Sequence, residues 1–134
     1  MKNPLHVGVA TECISPEVGC HLFGYRPDLV STELHDDLTA TALYFAQGDV
    51  KAIMISLTLC SVDGSICDRM REMIEAELGV PRQSVMIHAI HTHSGPVASS
   101  SVGWGEVDAE YCEKVMIPGT LRAAKRAVRG AVPA

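Results

Sequence analysis

The pattern of apolar and polar positions in the first half of the chain predicts β-strands. Residues 5–14 are typical of a strand, and an irregular loop broken by Gly and Pro follows to about residue 34. Two apolar, β-branched segments, 39–46 and 50–59, flank the short turn 47–49, which has glycine at its centre, and together they predict a hairpin. The second of these segments is apolar at successive positions, so we expect a central strand covered on both faces.

The second half of the chain predicts a helix, a strand and another helix. Apolar residues recur with helical spacing over 66–78, where Ser61 or Asp63 can cap the start and Gly79 ends the helix. Residues 85–90 form the next predicted strand, which should lie parallel to 50–59 because crossover connections are nearly always right-handed and parallel.

The last predicted helix begins after Asp108 and runs to about Arg129, with a bend or interruption at Pro118. The expected fold class is therefore α/β: a mixed β-sheet with a hairpin, a β-α-β crossover and two main helices in a single domain.

Composition narrows the class of function. The 134 residues suffice for one domain with a core, and the net charge of -5 gives no basic surface for nucleic acid. No apolar run is long enough to span a membrane, and the start of the chain lacks a signal-peptide core. Five cysteines without a C-x-x-C pair favour reduced thiols and a cytoplasmic protein, with Cys60 a core thiol rather than a nucleophile.

The stretch HAIHTHSGP, residues 88–96, is the main candidate for chemistry. It lies where the predicted strand 85–90 runs out, the end of an α/β sheet at which ligands bind. In an extended backbone His91 and His93 share one face, and His88 points to the other. His-x-His can present two imidazoles to one zinc, or to a zinc and its substrate, and a polar loop is an equally good interpretation of the spacing. For His88 we expect a structural role in the core or behind the site.

Several motifs in the correct order resemble the neutral/alkaline (non-lysosomal) ceramidases and their bacterial relatives. HTHSGP (91–96) resembles the signature of that family. The other matching segments are VGVATECISPEVG (7–19), HLFGYRP (21–27), LHDDLTATALYF (34–45) and LRAAKRAVRGAVPA (121–134). Two positions depart from the family pattern: Asp37 stands in place of a usual Pro, and Thr41 stands where Arg is frequent.

The resemblance implies a zinc-dependent amidase that cleaves the N-acyl bond of ceramide or a related lipid amide. By position, His91 would be a zinc ligand. His93 would be a catalytic residue that also binds substrate, and Gly24 would lie in a loop bordering the substrate. The family's remaining ligands, a second His, a Glu and a Tyr, lie far downstream. We therefore expect residues 1–134 to be the N-terminal part of the catalytic domain, inactive alone and binding zinc weakly or not at all.

Two further expectations follow. The alternative to an amidase is a non-catalytic binding or assembly module that keeps the fold without a metal centre. In addition, a domain cut from a larger enzyme exposes apolar surface, which predicts a homo-oligomer through that surface.

Overall fold

A computed structural model describes residues 3–134 of the chain. Within these residues, five strands form one sheet in the order β4-β3-β2-β1-β5. The strands are β1 (His6–Cys13), β2 (Thr39–Gln47), β3 (Val50–Leu57), β4 (Val85–Ala89) and β5 (Val132–Pro133). Strand β4 runs parallel to β3, and the other neighbours are antiparallel. The expected mixed sheet, hairpin and crossover are confirmed.

The β2–β3 hairpin turns within two residues. Gln47 pairs with Val50, so only Gly48 and Asp49 lie between the strands. Gly48 has a φ of 59°, a left-handed conformation that glycine adopts without steric cost. This turn fixes the register of β3 against β2, the middle strand of the sheet.

The crossover from β3 to β4 runs through helix α1 (Gly64–Leu78) and a 3₁₀ turn (Arg82–Ser84). Gly79 ends the helix in the left-handed conformation, and its N–H donates to the carbonyl of Glu75. Asp63 stands at the N-cap position, but its side chain makes no capping bond. Its carboxylate instead accepts the backbone N–H of Ser100 at 3.0 Å and also the Ser100 hydroxyl, so it holds the loop that follows β4.

The last helical run has three parts: α2 (Ala109–Tyr111), a π-helical segment (Cys112–Met116) and α3 (Ile117–Arg129). Asp108 caps it by accepting the Tyr111 N–H at 3.0 Å. The π-helical turn immediately precedes the turn containing Pro118, which cannot donate a backbone hydrogen bond. The expected interruption is therefore confirmed.

Both long helices lie on the same face of the sheet. Ile53, Ile55 and Leu57 of β3 are fully buried on that side, together with side chains from α1 and α3. Helix α3 approaches β1 so closely that a Cβ on Gly8 would collide with the carbonyl oxygen of Ala127. The small side chains at this contact keep the helix close to the sheet.

The opposite face of the sheet is open, which corrects the expectation that β3 is covered on both sides. Met54 of β3 is 41% exposed between the fully buried Ile53 and Ile55. The physical reason is the placement of α1 and α3 together on one side. No helix within residues 3–134 is long and apolar enough to cross a membrane.

Candidate metal and catalytic site

The residues that follow β4 and carry the histidines keep their hydrogen bonds to the end of β3 and the residues after it. Strand β4 ends at Ala89, yet the N–H of Ile90 donates to the carbonyl of Leu57 at 3.1 Å. The N–H of His91 then donates to the carbonyl of Leu59 at 2.9 Å. The backbone of His91 is thus fixed to a fully buried residue, and the segment is an ordered extension of the parallel pair.

His91 has a φ of 72°, the one non-glycine residue with a positive φ in the described part of the chain. The left-handed conformation costs a non-glycine residue of order 1 kcal/mol and concentrates at functional sites. It also corrects the reasoning from strand alternation, because the backbone is not extended at His91. The two histidines come together through this turn and not through alternation along a strand.

The orientation of the His91 ring is set by the backbone of Cys60. Nδ1 of His91 lies 2.9 Å from the carbonyl oxygen of Cys60, which can only accept a hydrogen bond. In the neutral ring Nδ1 therefore carries the proton, and Nε2 presents an unprotonated lone pair. A histidine whose one nitrogen donates to a carbonyl while the other is free is the usual arrangement of a metal-binding imidazole.

Nε2 of His93 lies 3.2 Å from Nε2 of His91. Two lone pairs at this distance repel, so either a proton on His93 or a cation must lie between them. Two nitrogens bound at 2.0–2.1 Å to a tetrahedral zinc are separated by about 3.3 Å. The pair of imidazoles therefore fits two positions of a zinc site, with spacing that a hydrogen bond between the rings also satisfies.

Cys60 is the third potential ligand in this cluster. Its sulfur, His91 and His93 offer ligand atoms within 4.8 Å of one another. However, the sulfur lies 3.5 Å from Nδ1 of His91, the nitrogen that donates to the Cys60 carbonyl. Burial also raises the pKa of the Cys60 thiol, which favours the protonated form over a thiolate ligand. The contribution of Cys60 in this arrangement is orientation of His91 through its carbonyl group.

Gly24 and Tyr25 hold the other histidine. Gly24 has a φ of 125°, and a Cβ there would overlap the Cγ and Cδ2 atoms of the His93 ring. The Tyr25 ring meets His93 edge-on, with ring centroids 5.0 Å apart. The N–H of Phe23 donates to the carbonyl of Gly95 at 3.0 Å and keeps the two loops together. The absence of a side chain at Gly24 therefore makes room for His93.

The acidic segment before β2 does not join the histidines. His35 and Asp36 are exposed, with Nε2 of His35 3.9 Å from a carboxylate oxygen of Asp36, while Asp37 accepts a hydrogen bond from the hydroxyl of Ser15 at 2.9 Å. These residues line a cavity of about 530 Å³ that reaches Thr92 and Ser94 beside the site. His88 is exposed on β4 and lies outside the cluster of ligand atoms. Of the two places expected for it, in the core or behind the site, the core is therefore wrong.

Two contacts at the site were not anticipated: the Cys60 carbonyl on His91 and the Tyr25 ring on His93. The first follows from the register of the parallel ladder: Leu57 pairs with Ala89, so extending both strands brings residues 59 and 60 beside His91. The sequence predicts that these strands are parallel but does not give this register. The second contact had no signal in the sequence, because it depends on the path of an irregular loop.

Comparison with known structures identifies the class of fold. No protein-family model matches the sequence, and no curated protein matches it significantly. Solved structures do match, and the fold is that of a segment of the ceramidases.

Two of these structures are a neutral ceramidase from Pseudomonas aeruginosa, with a TM-score of 0.83, and a ceramidase complexed with C2, with a TM-score of 0.84. Each is 20% identical to this chain and matches 98% of it. The resemblance inferred from the motifs is thus confirmed at the level of the fold. The chain spans only 22% of the length of either ceramidase chain.

Proposed function

We propose that this chain forms part of the active site of a zinc-dependent amidohydrolase that cleaves the N-acyl amide bond of ceramide or a related lipid. The observation that carries the proposal is the 3.2 Å separation of the two histidine Nε2 atoms, in a domain with a ceramidase fold. The carbonyl group of Cys60 orients His91, and the absence of a side chain at Gly24 makes room for His93. The surrounding structure therefore supports the relative position of the two rings.

His91 is the proposed zinc ligand, bound through Nε2, with its ring held by the Cys60 carbonyl. A bound zinc would lower the pKa of a water molecule to about 7 and polarise the amide carbonyl. His93 is the proposed catalytic and substrate-binding residue: its Nε2 can donate a hydrogen bond to the amide oxygen as negative charge develops there. Gly24, packed against His93, borders the substrate.

His91 supplies one protein ligand, and this leaves the zinc site incomplete, since catalytic zinc has three protein ligands and a water. Because the chain matches 22% of each ceramidase chain, we propose that the remaining ligands come from sequence outside these 134 residues. The 134-residue chain should therefore bind zinc weakly and should not hydrolyse ceramide by itself.

Metal binding by the chain provides the first test. Titration with Co²⁺, followed by its absorption spectrum, should show weak binding that His91→Ala abolishes. His88→Ala is the matched control, because His88 is exposed and outside the cluster, and it should leave the affinity unchanged. Equal loss in both variants would show that the binding is non-specific.

The full-length gene product provides the second test, with zinc content by atomic absorption measured beside hydrolysis of a labelled ceramide. His91→Ala should remove both zinc and activity. His93→Ala should retain most of the zinc and lose about 10²–10³ in rate, as expected for a transition-state contact. If His93→Ala lost the metal and His91→Ala kept it, the two roles would be reversed. A protein with neither zinc nor amidase activity would instead be the non-catalytic binding module.

A further inference from the structure

Residues 20–31 form a loop with two antiparallel arms, and the tip of this loop packs against His93. The N–H of Ser31 donates to the carbonyl of Cys20 at 2.9 Å and closes the base of the loop. Gly24 at the tip leaves room for the His93 ring. The loop lies outside the five-stranded sheet, so the position of its tip depends on local contacts. Whatever holds the tip therefore also sets the space available to His93.

Phe23 connects the tip of this loop to the residues that follow the histidines. Its N–H donates to the carbonyl of Gly95 at 3.0 Å, next to the isolated bridge between Leu22 and Pro96. The Phe23 ring packs on Trp104, with ring centroids 5.0 Å apart and ring planes inclined at 48°. Aromatic pairs with centroids about 4.5–7 Å apart attract each other beyond the effect of burial alone. One backbone bond and one ring contact thus hold Phe23.

Trp104 is the one aromatic residue of the loop 99–107, which otherwise contains Ser, Gly, Val and Glu. Gly103 and Gly105, on either side of it, have φ values of 84° and 83°, so the chain turns sharply at this point. Trp104 is half-buried, whereas Val102 in the same loop is fully exposed. The side chain that this turn brings back onto the protein is therefore the tryptophan.

We propose that Trp104 is a positioning residue for His93. Through its contact with Phe23, the Trp104 ring holds the tip of loop 20–31 where Gly24 admits the His93 ring. Every contact in this path is made between residues of the chain itself, so the effect needs no partner. The consequence for catalysis rests on the proposed function, in which His93 donates a hydrogen bond to the amide oxygen. The effect on the position of His93 does not.

NMR of the chain tests the effect on position. In Trp104→Ala the tip of the loop loses its ring contact. The NOE between the rings of Tyr25 and His93, whose centroids are 5.0 Å apart, should therefore weaken, and the His93 ring resonances should shift. Val102→Ala is the matched control, because it removes an exposed apolar side chain from the same loop, and it should leave both signals unchanged.

Two further variants test whether the ring contact carries the effect. Trp104→Phe keeps an aromatic ring opposite Phe23 and should retain the NOE. Phe23→Ala removes the partner instead. Because Trp104 is the single tryptophan of the chain, its fluorescence emission in this variant should shift to longer wavelength as the indole becomes more exposed. Thermal unfolding establishes that each variant is folded, and Trp104→Leu replaces Trp104→Ala if the latter is not.

Kinetics of the full-length gene product test the consequence for catalysis. Trp104→Ala should lower kcat about 10-fold and leave KM and zinc content nearly unchanged, because a displaced His93 weakens a contact made in the transition state. An unchanged NOE in Trp104→Ala overturns the proposal, and so does an equal loss in Val102→Ala or an unshifted emission in Phe23→Ala. A full-length protein without amidase activity overturns the proposed function, while the NOE still decides whether Trp104 positions His93.

Discussion

The two faces of the sheet are made from alternate residues of the same strands, yet they differ in what limits substitution. On the covered face, Ile53, Ile55 and Leu57 are fully buried, and even the absence of a side chain at Gly8 is needed for helix packing. On the open face, Met54 keeps 41% of its surface exposed. Apolar residues occur in both sets, so their presence alone does not show how many faces of a strand are covered.

Neighbouring substitutions in β3 should give the largest contrast. Ile55→Ala removes fully buried side-chain atoms and should lower the free energy of unfolding by about 2–5 kcal/mol. Met54→Ala, one residue earlier and on the open face, should cost less than about 1 kcal/mol in dilute monomer. Urea denaturation of both variants measures the difference. Equal losses would show that the open face is packed in the monomer, contrary to the structure.

A second prediction extends the contrast to the loop beside the histidines. Gly24→Ala combines a positive φ with overlap of the His93 ring and should cost about 2–3 kcal/mol. Gly19→Ala is the matched control: its φ is also positive, at 102°, but a Cβ there has no atom within 4 Å. It should cost only about 1 kcal/mol.

Histidine NMR signals separate the two causes. Gly24→Ala should shift the His93 ring resonances, since the ring must move, and Gly19→Ala should leave them unchanged. If both glycine variants cost the same and His93 stayed in place, backbone strain alone would account for the requirement at Gly24.

The smallest expected effect is the pH dependence of stability caused by Glu12, which lies at the edge of the face covered by α3. Hydrogen bonds from Arg126, opposed by partial burial and helped by Arg122, hold the pKa of Glu12 below its ordinary value. The folded state therefore binds fewer protons than the unfolded state. The stabilisation is complete above the ordinary pKa of a glutamate and is lost as the pH falls through the lowered value.

Unfolding free energies measured from about pH 7 to about pH 3 should show this dependence. Glu12→Gln should be less stable than the wild type by under about 1 kcal/mol near pH 7, because both arginines are largely exposed. The difference should become smaller towards the acidic end of the range. A constant difference across the range would assign the effect to packing and not to charge.

Most of the fold followed from local chemistry in the sequence. Gly48 and Gly79 occupy left-handed positions that punctuate the hairpin and α1, and Asp108 caps the last helical run. The pattern of apolar residues in β3 did not reveal that one face of the sheet is open, because apolar residues occupy both sides of this strand. Whether a helix covers a face depends on the connections of the whole sheet, which periodicity within one strand cannot reveal.

The candidate site was only partly predictable. The signature around His91 identified the two histidines, but the reason they converge lies in a left-handed turn that the sequence does not mark. The contact of Gly24 with His93 joins residues about 70 positions apart through an irregular loop, so no local pattern encodes it. The ceramidase-like motif indicated Gly24, and the structure supplies a steric reason for that glycine.

The groups that hold the histidines are far apart along the chain. This separation affects the order in which parts of the structure form. The β2–β3 hairpin closes over two residues and can form within microseconds. The bond from His91 to Leu59 requires closure of a loop of about 30 residues, and the Gly24 contact requires one of about 70. Contacts of such separation form late in folding. The histidine pair should therefore be assembled after the β2–β3 hairpin.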